Sequence, residues 1–250
     1  MLLKEKNSHP NDQRIRFDED NHIYYIDGFQ YDISVTGFIK SFFQEFDADS
    51  VIKKNYARWQ SNKNSKYYGF SVEEIKNIWK KNAEDASYKG SILHKDIEAF
   101  YNGIDFNNES IEFKFFLSLN ERLRNKYEPY RTEWTIFDEK SQLAGSVDMC
   151  YVDDSNNLHL FDWKRSKQIS KENQFRKGRY PLNHIDDSNY WHYALQLNIY
   201  KYILQRNYGK SVSSMYLVRL HSDQQDYEVI AIPDLSSEVE LMLEKRIKSL

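Results

Sequence analysis

Three residues in the second half of the chain have the types and spacing to hold a cation and to steady a developing negative charge: Asp148, Asp162 and Lys164. They lie on two strand-like runs, Leu143 to Val152 and Leu158 to Lys164, joined by the polar stretch Asp153-Asp-Ser-Asn-Asn. A turn centred on Ser155 sets Val152 against Leu158, Cys150 against Leu160 and Asp148 against Asp162. Because strand side chains alternate in direction, Asp148, Asp162 and Lys164 share one face, and Val147, Met149, Phe161 and Trp163 share the other. Both faces are largely apolar, so the hairpin is expected to be central and covered on both sides. Opposed like charges destabilise a sheet, and burial raises a carboxyl pKa unless a cation compensates. A divalent metal removes the conflict. Oxygen ligands suit Mg²⁺ or Mn²⁺, which orient a water, lower its pKa and stabilise charge on a phosphate. Lys164 is then placed to hold the attacking water or the phosphate. The same residues also fit strand-end carboxylates paired with a surface lysine, and a slip of one residue would send one acid to the opposite face.

Two helical stretches could add ligands. In Gly90-Ser-Ile-Leu-His94-Lys-Asp-Ile-Glu98, His94 and Glu98 fall on one helical face, a spacing that allows shared coordination, and an imidazole ligand shifts preference toward manganese. A lone helical histidine is also a common structural residue. In Tyr190 to Tyr200, Gln196 and Tyr200 share a face and are candidates to contact phosphate or position the lysine, while Leu195, Ile199, Tyr202 and Ile203 can pack on the sheet. Glu133, on the strand before the hairpin, is the remaining acid expected to approach; it reads equally well as a solvated strand residue.

Around these residues the pattern predicts a helix over 91–101 and strands over 130–137, 143–152 and 158–164. A helix over 190–208, strands over 213–220 and 227–232, and a terminal helix from Ser236 follow. In order this is αβββαβ with a further strand and helix. Upstream, His22 to Tyr31 reads as a hairpin turning at Asp27-Gly28. Ser34 or Thr36 caps a helix over 37–46, and Ser71-Val-Glu-Glu is a capping box. The expected organisation is a flexible tail over 1–20, a hairpin and helical extension over 21–82, and a core over 83–250.

The chain has 250 residues, 40% hydrophobic and including 15 Phe and 19 Tyr, which is enough to bury a sizeable core. Its single cysteine excludes an internal disulfide and any four-cysteine zinc or iron–sulfur site made by this chain alone. Metal must therefore sit on oxygen or imidazole. A net charge of -3 counts against a non-specific duplex coater. The segment after the hairpin is locally basic, however: Lys164, Arg165, Lys167, Lys171, Arg176, Lys177 and Arg179 stand against the single acid Glu172. Arg165 and Lys167 are the nearest of these to the proposed site. No run approaches the roughly 18 apolar residues of a membrane span, and the N-terminus lacks a signal peptide's apolar stretch, so a soluble intracellular protein is expected. Gly209-Lys210-Ser211 resembles the end of a P-loop, but Leu204 stands where its first glycine should be.

Four motifs in order, Gly90 to His94 (Gly-x-x-x-His), Gly145 to Asp148 (Gly-x-x-Asp), Asp162 to Lys164 (Asp-x-Lys) and Gln196 to Tyr200 (Gln-x-x-x-Tyr), resemble the PD-(D/E)xK nucleases. The branch is that of the RecB nuclease domain and the mitochondrial genome maintenance exonuclease. The resemblance implies a restriction-endonuclease-like α/β fold, a mixed central sheet flanked by helices. It implies that His94, Asp148, Asp162 and the carbonyl of Trp163 bind Mg²⁺ or Mn²⁺, and that Lys164 is catalytic with Gln196 beside it. Unlike branch members with an iron–sulfur cluster, this chain lacks the cysteines, so no such cluster is expected. Val147 replaces the proline of the family name. The implied substrate is DNA, single-stranded or with free ends, in replication, repair or recombination. Ser34 and Thr36 resemble an N-terminal segment of stand-alone members, where a helix N-terminus could hold a phosphate; they also serve simply as caps. A structure-specific endonuclease or a catalytically silent nucleic-acid-binding protein of the same fold are the rival readings.

Overall fold

The computed structural model describes residues 1–250. In chain order it contains α1 (Leu3–Lys6), a 3₁₀ turn (Pro10–Gln13), β1 (Ile15–Asp18), β2 (Ile23–Ile26), β3 (Phe29–Tyr31), β4 (Ile33–Ser34) and α2 (Val35–Lys40). There follow α3 (Ala48–Ser61), α4 (Val72–Asn102), α5 (Ile111–Leu123), β5 (Glu128–Asp138), β6 (Leu143–Val152), β7 (Leu158–Lys164), α6 (Asn189–Asn207), β8 (Val212–Arg219), β9 (Glu228–Ala231) and α7 (Ser236–Ile247). The chain forms two compact units, one of Met1–Gln44 with Leu93–Leu250 and one of Glu45–Ile92.

The larger unit is an α/β structure built on a mixed six-stranded sheet, with a small antiparallel sheet of β1, β2 and β3. The turn between β2 and β3 is made by Asp27 and Gly28, both at positive φ, as an Asp-Gly hairpin requires. In the main sheet β5 and β7 run antiparallel to β6, β8 runs parallel to β7, and β9 closes the far edge antiparallel to β8. The β6–β7 register is the one that the turn at Ser155 predicts, with Val152 opposite Leu158 and Cys150 opposite Leu160.

The ladder between β6 and β7 ends at Met149 opposite Phe161, one step short of Asp148 and Asp162. At the start of β6, Leu143 and Ala144 pair with β5 on one edge and with β4 on the other. The edge that β7 occupies from Met149 onward is therefore taken by β4 at Leu143 and Ala144. Gly145 to Asp148 lie between, in a fork of the sheet. Strands that diverge leave backbone groups and side chains free to face a ligand.

The two sheet faces carry separate cores. On one, α6 buries Leu195, Ile199 and Ile203 against Cys150, Leu158 and Leu160. On the other, Phe116 and Leu119 of α5 and Leu93 and Ile97 pack on Met149, Phe161 and Trp163. Val147, expected with these last three, instead joins the first core with its partner Trp134. Trp134 follows Glu133, whose φ of 41° turns β5 locally out of strand alternation.

Several local expectations need correction. Residues 1–20, expected as a flexible tail, are folded: the Asp12 carboxylate accepts from Arg131 Nη1 at 2.7 Å and from Trp134 Nε1 at 2.9 Å. The helix expected over 37–46 spans only Val35–Lys40. The helix expected over 91–101 is the end of a single 31-residue helix that runs through Gly90; one glycine costs a helix only about 1 kcal/mol and does not break it. The smaller unit has its own core of Ile52, Tyr67 and Ile75, and the Ser71–Glu74 capping box forms with both hydrogen bonds in place.

Candidate metal centre

β6 brings Asp148 into the fork, and in the register of Thr132 with Met149 and Trp134 with Val147, Glu133 of β5 lies beside it. α4 supplies His94. Its Nδ1 stands 3.2 Å from Glu133 Oε1 and 3.6 Å from Asp148 Oδ2, and its Nε2 is 2.9 Å from the carbonyl oxygen of Trp163. His94, Glu133 and Asp148 each offer a ligand atom, and the three atoms lie within 4.8 Å of one another. Such a group can hold a divalent metal. Since a carbonyl and a carboxylate only accept, both ring nitrogens donate and the ring is an imidazolium. Burial opposes that charge, but Asp148 and Glu133 outweigh it and raise the His94 pKa to about 9. A ring proton thus stands among oxygens that suit a metal, and coordination there requires His94 to release it.

Trp163 is fixed through both of its backbone polar groups. Its N–H donates to Asp148 Oδ2 at 2.8 Å, while its carbonyl accepts from His94 Nε2. Glu133 is held in turn by the Ser146 hydroxyl, which donates to Oε2 at 3.1 Å.

Asp162 and Lys164 form a second, adjoining pair. Asp162 is 1% exposed, its Oδ2 is 2.7 Å from Lys164 Nζ, and its Oδ1 has no hydrogen-bond partner. Burial pushes both the Asp148 and Asp162 carboxyls upward; Lys164 offsets only some of that rise in each. Burial also works against the Lys164 charge, yet Asp162 and Asp148 more than offset it and keep the ammonium protonated. The ammonium rests 4.7 Å from the centre of the Tyr193 ring. A buried carboxylate oxygen with no partner costs a few kcal/mol, and it marks a place where a cation or a water-bound proton would be favourable.

Gln196 Nε2 donates to the Tyr200 hydroxyl at 3.0 Å, and both residues are buried. A Cβ at Gly145 would lie 2.7 Å from the Tyr200 ring, so the glycine of Gly-x-x-Asp is the residue that lets this ring close beneath β6. Tyr200, expected to contact nucleic acid, is therefore enclosed, with its hydroxyl turned to Gln196. Arg165 is also not free: it is 2.9 Å from Glu112, and both side chains are largely buried. Lys167 is exposed, beside Asp223 at 3.2 Å. Ser34 accepts from Gly37 N at 3.1 Å and meets Thr36 at 3.0 Å, the geometry of a cap on a helix of six residues.

Glu98 lies outside the three-residue group. It is half-buried, with its carboxyl pushed up by burial and by Glu133, and it lines with Glu133, Lys95 and Lys4 a cleft of about 960 Å³ beside the site. Four residues along a helix is one full turn, enough to carry Glu98 past the metal group. Sequence reasoning passed over Ser146 and Tyr193. Ser146 is two residues from Asp148 on one strand, and Tyr193 precedes Gln196 and Tyr200 at helical spacing, so both periods pointed at them.

No family model and no curated protein matches the chain. Among solved structures it is similar to SSO0001, with 15% identity over 87% of this chain and 75% of that one and a TM-score of 0.33. It is also similar to a candidate exonuclease from Eubacterium rectale, with 16% identity over 86% and 78% and a TM-score of 0.39. At these values neither likeness bears on the chemistry. No helix is long and apolar enough to cross a membrane.

Proposed function

We propose that the chain is a divalent-metal-dependent nuclease that hydrolyses phosphodiester bonds, an exonuclease acting on single-stranded DNA ends in replication, repair or recombination. One observation carries the reading: His94, Glu133 and Asp148 converge within 4.8 Å beside a buried Lys164–Asp162 pair. In this reading those three residues, with Asp162 and the Trp163 carbonyl, hold Mg²⁺ or Mn²⁺. When bound, the ion supplies an acidified water and a Lewis acid for the phosphate. The rest falls to side chains of the chain. Asp148 fixes the Trp163 peptide, so the carbonyl stays turned into the site. Asp162 and the Tyr193 ring hold the Lys164 ammonium where negative charge builds on a phosphoryl oxygen, in a buried setting that strengthens the attraction. Gln196, anchored on Tyr200, is a neutral donor three residues along α6 from Tyr193. Support for nucleic acid as substrate is the basic segment from Lys164 to Arg179; support for a single-stranded end is the motif resemblance alone.

The test compares wild type with Lys164→Ala on labelled single- and double-stranded DNA, with Mn²⁺ or Mg²⁺ and on covalently closed circles. Cleavage of linear DNA should fall on the order of 10²- to 10³-fold in the variant, and closed circles should survive. Equal degradation by both proteins would overturn the assignment of Lys164.

A further inference from the structure

Between β7 and α6 the chain runs for 24 residues without helix or strand, from Arg165 to Ser188. It is nevertheless tied down. Asn173 donates its side-chain amide to the Asp187 carbonyl at 2.6 Å and takes Phe175 N at 3.1 Å, Gly178 N bonds the Ile185 carbonyl at 2.9 Å, and Lys177 meets Asp186 at 3.1 Å. On this fixed loop Phe175 is 89% exposed and Tyr180 is 69% exposed. Between them in the chain, Arg176 and Arg179 have no carboxylate within ion-pair reach, although Asp and Glu outnumber Lys and Arg by 38 to 35. Large rings left in water, on an ordered support, with unpaired guanidinium groups between them in the chain, are the composition of a surface that stacks bases and attracts phosphates.

The loop also borders the site. Its earlier half is hydrogen-bonded to the first turn of α6, with Tyr190 N on the Ser170 carbonyl and Trp191 Nε1 on the Lys171 carbonyl. Tyr193, on the next turn, carries the Lys164 ammonium. Phe175 and Tyr180 are five residues apart, at most about 18 Å of extended chain, a span that fits a few nucleotides of one strand.

From these features we infer that Phe175 and Tyr180 are base-stacking residues for single-stranded nucleic acid, with Arg176 and Arg179 holding its phosphates. Paired bases in a duplex present no free face to such rings. The surface therefore selects single strands, on the same loop whose earlier half is bonded to the first turn of α6. The identity of the occupant rests on the nuclease reading as well as on the charge and ring chemistry of the loop.

The experiment measures binding of a labelled oligodeoxythymidylate and of a duplex of equal length to the full chain, in chelator so that no cleavage intervenes. Phe175→Ala with Tyr180→Ala should weaken the single strand on the order of tenfold for each ring and leave the duplex unchanged. Phe175→Tyr with Tyr180→Phe, which restores the rings, should restore binding and so exclude misfolding. Arg176→Ala with Arg179→Ala should reduce the slope of log affinity against log salt by about 1.4. Unchanged single-strand binding in the double alanine variant overturns the inference, as does an equal loss on duplex. Loss of self-association in sedimentation with DNA binding intact also overturns it, and assigns the rings to a second copy of the chain. Should wild type cleave no DNA with either metal yet bind single strands through these rings, the inference stands and the nuclease reading falls. Cleavage with ring-independent binding gives the reverse.

Discussion

Glu133 holds a φ of 41°, a left-handed backbone that costs a non-glycine residue of order 1–3 kcal/mol. Its carboxylate is the link between His94 and Ser146. Strain kept at one residue, with two partners holding its side chain, is expected where pre-organisation outweighs stability. The Ser146 hydroxyl does not reach His94, so its contribution can be isolated. Ser146→Ala should lower Mn²⁺ affinity in calorimetry by about 10-fold or more, in the range of other groups that orient a ligand, with little change in unfolding. Unaltered affinity would remove Glu133 from the coordination set. Residue types made Asp148 and Lys164 legible from the sequence. The weight that falls on Glu133 was not, because a positive φ is imposed by the sheet around it and leaves no mark in residue type.

At the scale of elements, the β6–β7 hairpin follows from short-range chemistry: alternating apolar residues and a polar turn set its register. Where its ladder stops is another matter. β4 occupies a stretch of the same β6 edge, and that strand of two residues lies more than a hundred positions upstream. The N-terminal segment makes a similar point. The Asp12–Arg131 pair joins residues 119 apart, and neither local sequence suggests it. Arg131 is largely buried, so Asp12→Ala leaves an unpaired charge and should destabilise the protein by about 3 kcal/mol in urea unfolding at pH 7. Burial raises the Asp12 carboxyl pKa, but the bonds from Arg131, His9 and Trp134 outweigh it and leave it below its ordinary value. A depressed carboxyl contributes stability that is fully present above about pH 4 and is lost as pH falls through the folded pKa. The difference between wild type and variant should therefore shrink toward pH 2. A difference that stays constant with pH would mean that packing, and not charge, is what Asp12 provides.

Over the whole molecule, the site sets stability against function. Two buried carboxylates, a third acid and two cationic side chains share the fork, with one buried oxygen left without a partner. A divalent ion that binds only the folded chain should relieve this. At a hundredfold excess over its Kd it adds about 2.7 kcal/mol, a rise in Tm of roughly 5–10 °C for a protein of this size. Chelator should reverse the rise, and Asp148→Asn should abolish it. A melting curve insensitive to both Mg²⁺ and Mn²⁺ would remove the metal from the proposed function.

Legible in the residues alone were the α/β class, the central hairpin with its register, the Asp27-Gly28 turn, and Asp148, Asp162, Lys164 and His94 as candidates, with Glu133 as a further acid expected to approach. All of these depend on residues a few positions apart, whose periodicity and turn chemistry act locally. Only the tertiary structure decided which atoms meet. Asp148 and Asp162 fall outside the β6–β7 ladder because it ends one step before they would pair; Tyr200 lies under Gly145; and Glu133, from a strand paired on the opposite edge of β6, completes the group around Asp148. Those contacts depend on strand divergence and on partners far apart in the chain, which local pattern does not encode.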